Sequence, residues 1–356
     1  MSKTIEEIAD IVKQSASMNR DITIPNGQFS LNFNGTDTSW LVGGERFKST
    51  KWANSQIFSK LGMPSRYFND LLVEDPELAT YHTNRVLSQS APEEWFVRTK
   101  VGVLDNVVDE ETSGEGDKEP VPFIRGVMSD KYSVLDNDKI VMAVSRILSH
   151  YVKELNIQSY CLEDHRMHIR ITLPQTAKDF GLTTRSKNDI LQVGLDIINS
   201  EVAYHAMNIT GFIWRLVCTN GMRRMEKGDT FTQRHIFLDD NTFFTKCCFA
   251  IRDSVESGLK TMEQFVALKQ LSLQHPLQLH EVIGKELEFT NSIVDSAKEY
   301  WEEDATAYGI INSFTAAARN LDNEKRLEVE RQAGKMLMIP AKTWHRYDVI
   351  AGEITE

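Results

Sequence analysis

The chain has 356 residues, of which 41% are hydrophobic and 26% are charged. These proportions are those of an ordinary globular protein and exclude a disordered or fibrous chain. The length allows one large domain with appendages or two domains, because single hydrophobic cores stop growing above about 250 residues. The formal net charge of −11 argues against a general attraction of the whole surface to DNA or to an anionic membrane.

Much of the negative charge lies in one segment, residues 105–119. Seven acids in this segment stand against one lysine, Lys118, so it carries −6 of the net charge of −11. The rest of the chain is therefore much closer to neutral. A Gly/Ser stretch in its middle favours a solvated hairpin loop, and an acidic loop of this kind could also cover a basic groove of the same molecule.

The start of the chain predicts a helix, with apolar residues at Ile5, Ile8 and Val12 and acids between them. It lacks the basic start and the apolar run of a signal peptide. No apolar run approaches the roughly 18 residues that span a bilayer. The four cysteines form no Cys-x-x-Cys pair, so we interpret them as reduced thiols. We expect a cytoplasmic protein with no membrane partner.

Residues 1–90 form an N-terminal mixed α/β segment in this interpretation. After the leading helix, alternating apolar residues predict short strands at 29–33 and 39–47. Two helices then follow, one through Ile57 and one through Leu71, separated by Gly62 and Pro64.

Residues 91–235 form a predicted central antiparallel sheet core. Period-two alternation begins at Trp95, and a second strand, 121–128, returns after the acidic loop. A helix at 136–152 follows, with an apolar stripe at core-facing spacing. Two further strand pairs are predicted, 157–162 with 167–173 and 191–198 with 202–217. The turn of the second pair lies near Ser200.

Residues 236–356 form a predicted C-terminal helical region. Apolar residues from Ile251 to Val266 keep heptad-like spacing, and Pro276 ends the first helix. Further helices are predicted from Val282, at 308–321 and at 327–338. The fold class is therefore α+β, with a central, mostly antiparallel sheet, packed helices and a C-terminal helical bundle.

Motifs of catalysis are absent from the sequence. It contains no Gly-Lys-Ser/Thr phosphate loop, dinucleotide fingerprint, Gly-x-Ser-x-Gly elbow or His-Glu-x-x-His pair. His165 and His168 are the nearest metal candidates, but residues three apart on a strand point to opposite faces. We therefore predict no catalytic residue, no metal and no cofactor. A metal-dependent enzyme that uses His165, His168 or the nearby acids is a third alternative.

Basic residues accumulate on the predicted strands of the central region and at their ends. Nucleic-acid sites need such residues for phosphates, together with aromatic faces for bases, which Phe96, Tyr132, Tyr204 and Trp214 could supply. The alternative is that they are ordinary polar positions of a sheet, paired with acids of neighbouring strands. The candidate nucleic-acid-binding residues are Arg98, Lys100, Arg125, Lys131, Arg166, His168, Arg170, Arg215, Arg223, Arg224 and Lys227.

Three stretches, Ile124–Asn137, Asn199–Met222 and Tyr308–Thr315, resemble the phage/plasmid-like family of domain-of-unknown-function 932. The resemblance covers most of the chain beyond Pro64. It implies a protein encoded by a phage, plasmid or prophage and found in the bacterial host cytoplasm, and it supplies no catalytic residues. The predicted order strand, hairpin, strand, helix also resembles that of single-strand annealing proteins, which form homo-oligomers.

The leading functional prediction is a non-enzymatic nucleic-acid-binding protein of a phage or mobile element. It would bind single-stranded or double-stranded DNA in single-strand annealing, recombination or DNA protection. The alternative is a protein–protein interaction factor, either an anti-defence protein or a structural accessory, that binds a host or phage protein through its acidic surface and C-terminal bundle.

Overall fold

The computed structural model describes residues 4–102, 121–151, 154–179, 190–215, 220–222, 230–236 and 240–354. The α-helices of these residues are α1 Ile5–Ser17, α2 Lys51–Lys60, α3 Ser65–Glu74, α4 Pro76–Gln89, α5 Asn137–Tyr151, α6 Asp240–Lys269, α7 Pro276–Glu286, α8 Asn291–Glu299, α9 Ala307–Ala317, α10 Asn323–Gly334 and α11 Ala341–Glu353. The strands are β1 Asn19–Pro25, β2 Phe29–Phe33, β3 Thr38–Val42, β4 Glu45–Ser49, β5 Glu94–Gly102, β6 Val121–Ser129, β7 Asn156–Leu162, β8 Met167–Thr172, β9 Lys178–Asp179, β10 Ile190–Asn199, β11 Met207–Arg215, β12 Asn220–Met222 and β13 Thr230–Gln233.

The first sheet has the strand order β1-β5-β6-β4-β3-β2. Its neighbours pair antiparallel except β4 and β6, which are parallel. This sheet therefore contains strands of both the predicted N-terminal segment, residues 1–90, and the predicted central region, residues 91–235. Its core contains Trp40, Phe58 and Trp95, and α2 contributes Ile57 to the same cluster. The indole of Trp40 donates a hydrogen bond of 2.8 Å to Asn54 Oδ1, so this buried polar group is satisfied.

The second sheet has the order β12-β11-β10-β8-β7, and β13 and β9 pair with β11 and β10. Alternate residues of β10 lie on an apolar face, where Leu195 and Ile197 pack with α1, α5 and the start of α6. Leu191 and Val193 join the cluster of the C-terminal helices. The other face is buried too, because every residue of β8 is buried. The α+β class with packed helices and a C-terminal helical bundle is thus confirmed.

A turn after β10, residues 200–204, joins the two sheets. The indole of Trp52 and the side-chain amide of Gln56, both on α2, each donate a 2.9 Å hydrogen bond to the Val202 carbonyl. Gln56 Oε1 in turn accepts from the Val127 amide of β6 at 2.8 Å. Gly126 completes the contact, since a Cβ at this position would lie 2.7 Å from Val202 Cβ. The absence of a side chain at Gly126 allows this close approach.

The structure differs from the prediction in several elements. A β-bulge between Arg98 and Thr99 shifts the register of β5, so Val101 is exposed although strict alternation from Trp95 would put it on the same face as the buried Trp95. Strand β11 begins at Met207 rather than at residue 202, because the 200–204 turn packs on α2 instead of pairing. Helix α4 and strand β1 were not predicted.

None of the helices in the described ranges is long and apolar enough to cross a bilayer.

Replacement of Gly126 by alanine should lower the free energy of unfolding by about 1–3 kcal/mol, because the added methyl group overpacks the contact with Val202. Urea denaturation followed by fluorescence measures this loss. Gly27→Ala is the matched control, since nothing lies within 4 Å of its added Cβ. A loss in Gly126→Ala no larger than that in Gly27→Ala would contradict the close approach.

Candidate binding cleft between the two sheets

The predicted basic residues are mostly engaged in ion pairs inside the fold. Arg98 is buried, and its Nε donates to Asp21 Oδ1 at 2.9 Å. Its Nη1 lies 2.7 Å from Asp136 Oδ1 and donates to the Glu201 carbonyl at 3.2 Å. Three acidic residues from three parts of the chain thus surround this guanidinium.

Arg125 on β6 is buried beside Arg98. Its Nη1 donates to Glu201 Oε2 at 2.7 Å and to Asn19 Oδ1 at 2.9 Å, and its Nε and Nη2 donate to the Asp164 carbonyl. The other oxygen of Glu201 accepts from the Asn137 amide at 2.8 Å, at the first residue of α5. Burial alone would raise the pKa of Glu201, but Arg125, the Asn137 amide and Arg98 outweigh burial and lower it.

A second buried network occupies the polar face of the second sheet. Arg170 on β8 pairs with Asp196 at 3.0 Å and with Glu330 of α10 at 2.7 Å. His168 Nε2 lies 2.8 Å from the same Asp196. The Arg170 guanidinium also lies over the Phe212 ring, 4.9 Å from its centroid. Helix α10 therefore covers the strand face that the sequence pattern predicts to carry positive charge.

The remaining candidates are scattered. Arg166 pairs with Glu163 and with Glu324, and Arg215 pairs with Glu302 at 3.3 Å. Lys131 is exposed in the turn after β6. Arg223, Arg224 and Lys227 lie outside the described residues. The five arginines 98, 125, 166, 170 and 215 thus pair with acids, most of which lie in turns or on α10 rather than on neighbouring strands.

Three of the four predicted aromatic residues contact other side chains away from the cleft. Tyr132 stacks between Phe96 and His235, and its hydroxyl lies 2.9 Å from His235 Nδ1. Burial, helped by the Arg98 charge, lowers the pKa of His235 to about 4, so this imidazole is neutral at physiological pH. Trp214 is buried with Arg170. Of the four predicted aromatic residues, Tyr204 is the one that lines the cleft described next.

An open cleft of about 970 Å³ lies above the Arg125–Glu201 pair. Its walls come from α1, from the start of α2, from β5 and β6, from the β7–β8 turn and from the 200–204 turn. The two sheets therefore both contribute to it.

Lys100 on β5 faces this cleft without a described carboxylate partner. Its Nζ donates a 2.8 Å hydrogen bond to the Ser15 hydroxyl of α1. Burial lowers the pKa of Lys100, and the neighbouring Arg125 charge lowers it further, although Asp164 and Glu201 act in the opposite direction. Lys51, exposed at the first position of α2, also lines the cleft and forms no ion pair with a described residue. These two ammonium groups are available to an anionic ligand.

Aromatic rings form one side of the same cleft. The ring of Tyr204 makes edge contacts with Trp52, at a centroid distance of 4.7 Å, and with His165, at 4.6 Å. Burial lowers the pKa of His165, so this ring favours its neutral form. Tyr204 and Trp52 are both only partly buried and can contact a planar ligand group.

The charged side chains that line the cleft balance each other. They are three cations and three carboxylates, namely Lys51, Lys100, Arg125, Glu163, Asp164 and Glu201. Glu201 pairs with Arg125, and Glu163 pairs with Arg166, which lies outside the lining. The two lysines therefore remain without an ion pair to a described residue, and they can contact a ligand that carries negative charge beside a flat ring.

Metal ligands are not grouped in the described part of the chain, where no three His, Cys, Asp or Glu side chains are placed to hold one ion. His165 lies in the β7–β8 turn, next to Glu163, whereas His168 is buried on β8 with Asp196. Cys161, Cys247 and Cys248 are free thiols.

The cleft residues that the sequence interpretation missed include Ser15, Lys51 and Trp52. They belong to helices, and Ser15 is 85 positions away from Lys100. A basic and an aromatic residue, Lys51 and Trp52, are adjacent at the start of a predicted helix. This pair could have indicated a nucleic-acid site.

Comparisons with protein-family models, with curated proteins and with solved structures found no match for this chain. The resemblance to the family of domain-of-unknown-function 932 stays a prediction.

Replacement of Glu201 by glutamine should destabilise the protein by about 3–5 kcal/mol near pH 7, because Arg125 then lacks its buried counter-charge. The folded-state pKa of Glu201 is lowered from 4.5, so its carboxylate contributes stability above about pH 4.5, and this is lost as the pH falls. Urea denaturation should thus show that the free energies of unfolding of wild type and variant differ at neutral pH and become more similar toward about pH 3.

Glu45→Gln is the control for this comparison, because Glu45 pairs with Arg20 on the surface. An exposed pair of this kind contributes at most about 1 kcal/mol. A Glu201→Gln variant as stable at neutral pH as Glu45→Gln would contradict the importance of the buried pair.

Proposed function

We propose that this chain is a non-enzymatic nucleic-acid-binding protein of a phage or mobile element, and that it binds a single strand in the cleft between its two sheets. The observation that carries the proposal is Lys100, a half-buried ammonium group that faces the cleft without a described carboxylate partner. Since burying a charge is unfavourable unless it is paired, such a group favours an anionic ligand.

Phosphate groups would contact Lys100 and Lys51, and a base would contact the rings of Tyr204 and Trp52. Base stacking on aromatic rings together with phosphate contacts is the usual means by which proteins bind single strands. A single strand is favoured over a duplex, because its bases expose their faces. With two phosphate contacts, the logarithm of the binding constant should fall with the logarithm of salt concentration with a slope of about −1.4.

The biological role follows from the resemblance described above rather than from the cleft. In a phage or mobile element, single-strand binding serves annealing, recombination or DNA protection, and the analogy with annealing proteins adds a homo-oligomer. The second candidate, a protein–protein interaction factor, was tied in part to the acidic segment 105–119, which lies outside the described residues. The contacts of Lys51 and Lys100 in the cleft support nucleic-acid binding as the first candidate.

Replacement of Lys100 by glutamine should weaken binding of a fluorescent single-stranded oligonucleotide and change the salt slope from about −1.4 to about −0.7, because one phosphate contact is lost. Fluorescence anisotropy from about 50 mM salt upward measures both quantities. Lys342→Gln is the matched control, since Lys342 is exposed on α11 and does not line the cleft. Equal effects of the two substitutions would place the interface elsewhere.

Replacement of Tyr204 by alanine should weaken the same complex about 5- to 150-fold, which corresponds to the loss of one stacked base. Tyr81→Ala is its control, because Tyr81 is exposed on α4, away from the cleft. Wild-type protein that shows no binding at about 50 mM salt, where phosphate contacts are strongest, would overturn the proposal and leave the protein–protein interaction factor.

A further inference from the structure

A second cavity, of about 150 Å³, lies in the C-terminal half of the chain. Its walls come from the end of β11, from the segment after α8, from α9 and from the 3₁₀ turn that follows α9. Gly309, Asn312 and Ala316 of α9 line it together with Arg319, because residues three and four apart share one face of a helix. This volume is enough for several water molecules and is larger than the voids that packing defects usually leave in a protein.

Asn312 is the first unexplained group of this cavity. Helix α9 is buried along its whole length, and Asn312 itself is only 8% exposed. Its side-chain amide forms no hydrogen bond with any described residue, although it lines the cavity. Because this amide faces the cavity without a described protein partner, a ligand in the cavity can form hydrogen bonds with it.

Arg319 is the second unexplained group. Its guanidinium lies 6.0 Å from the centroid of the Tyr300 ring but forms no ion pair with a carboxylate of the described residues. Its Nε is buried and has no hydrogen-bond acceptor. A guanidinium in this state favours an oxyanion, whose oxygens can accept from the forked N–H groups.

The acids around the cavity already have cationic partners. Glu302 pairs with Arg215 at 3.3 Å, and Asp304 pairs with Lys269 at 2.5 Å. Asp304 also accepts from the Thr306 hydroxyl at 2.8 Å. The charge that remains uncompensated among these groups is therefore the positive charge of Arg319, which excludes a cation as the preferred ligand.

We infer that this cavity is a binding site for a small free oxyanion of the size of inorganic phosphate, held by the guanidinium of Arg319 and the amide of Asn312. Arg215 also lines the cavity, but its guanidinium pairs with Glu302. The inference is independent of the nucleic-acid proposal, because it uses other residues and another cavity.

Inorganic phosphate is the probe, titrated into the full chain by calorimetry at constant ionic strength with chloride as the exchanged ion. Wild-type protein should bind it and show a thermal midpoint raised by about 2–4 °C near saturation. Arg319→Gln should weaken phosphate binding at least about tenfold, because a charge-assisted hydrogen bond is lost. Asn312→Ala should weaken it as well, and it serves as the second variant should Arg319→Gln fail to fold.

Two controls separate this site from other phosphate contacts. Arg346→Gln makes the same charge change and removes a similar cation–π contact, since Arg346 is exposed over the Tyr347 ring. Lys342→Gln removes an exposed charge that lines neither cavity. Both controls should bind phosphate as wild type does. An absence of phosphate binding in wild type, or an affinity unchanged in both Arg319→Gln and Asn312→Ala, would overturn the inference.

Discussion

The buried pair of Arg125 and Glu201 is the interaction on which the rest of the structure depends. Burying two opposite charges is unfavourable unless the remaining hydrogen-bonding capacity is satisfied. Here the guanidinium also donates to Asn19 and to the Asp164 carbonyl, and the carboxylate also accepts from the first amide of α5. One pair thus connects β1, β6, α5 and the turns of the second sheet, and it forms the floor of the cleft.

This arrangement explains why the number of basic residues does not predict the charge of the molecular surface. Arg98, Arg125 and Arg170 are buried with carboxylates of other elements, so they contribute to the assembly of the two sheets rather than to an external field. Lys100 differs, because its nearest partner is a serine hydroxyl. The candidate function therefore rests on Lys51 and Lys100, which line the cleft and form no ion pair with a described residue.

The sequence predicted the strands and helices with clear periodicity, such as β5, β8 and α5, because one face of each is apolar. It missed α4, whose buried positions Ala79, Thr83 and Leu87 are small or polar for the most part. It could not assign partners to the arginines, since Glu201 lies in a turn and Glu330 on a distant helix. The cleft was missed for the same reason, because pairing between distant segments leaves no periodic pattern.

The turn at residues 200–204 has a consequence for the order of folding. Its contacts with Trp52, Arg98 and Arg125 join residues separated by 150, 103 and 76 positions. Contacts of such long sequence separation require the closure of large loops and slow the folding of a chain. The docking of the two sheets through this turn should thus be a late step. The cleft would then exist only in the fully docked molecule.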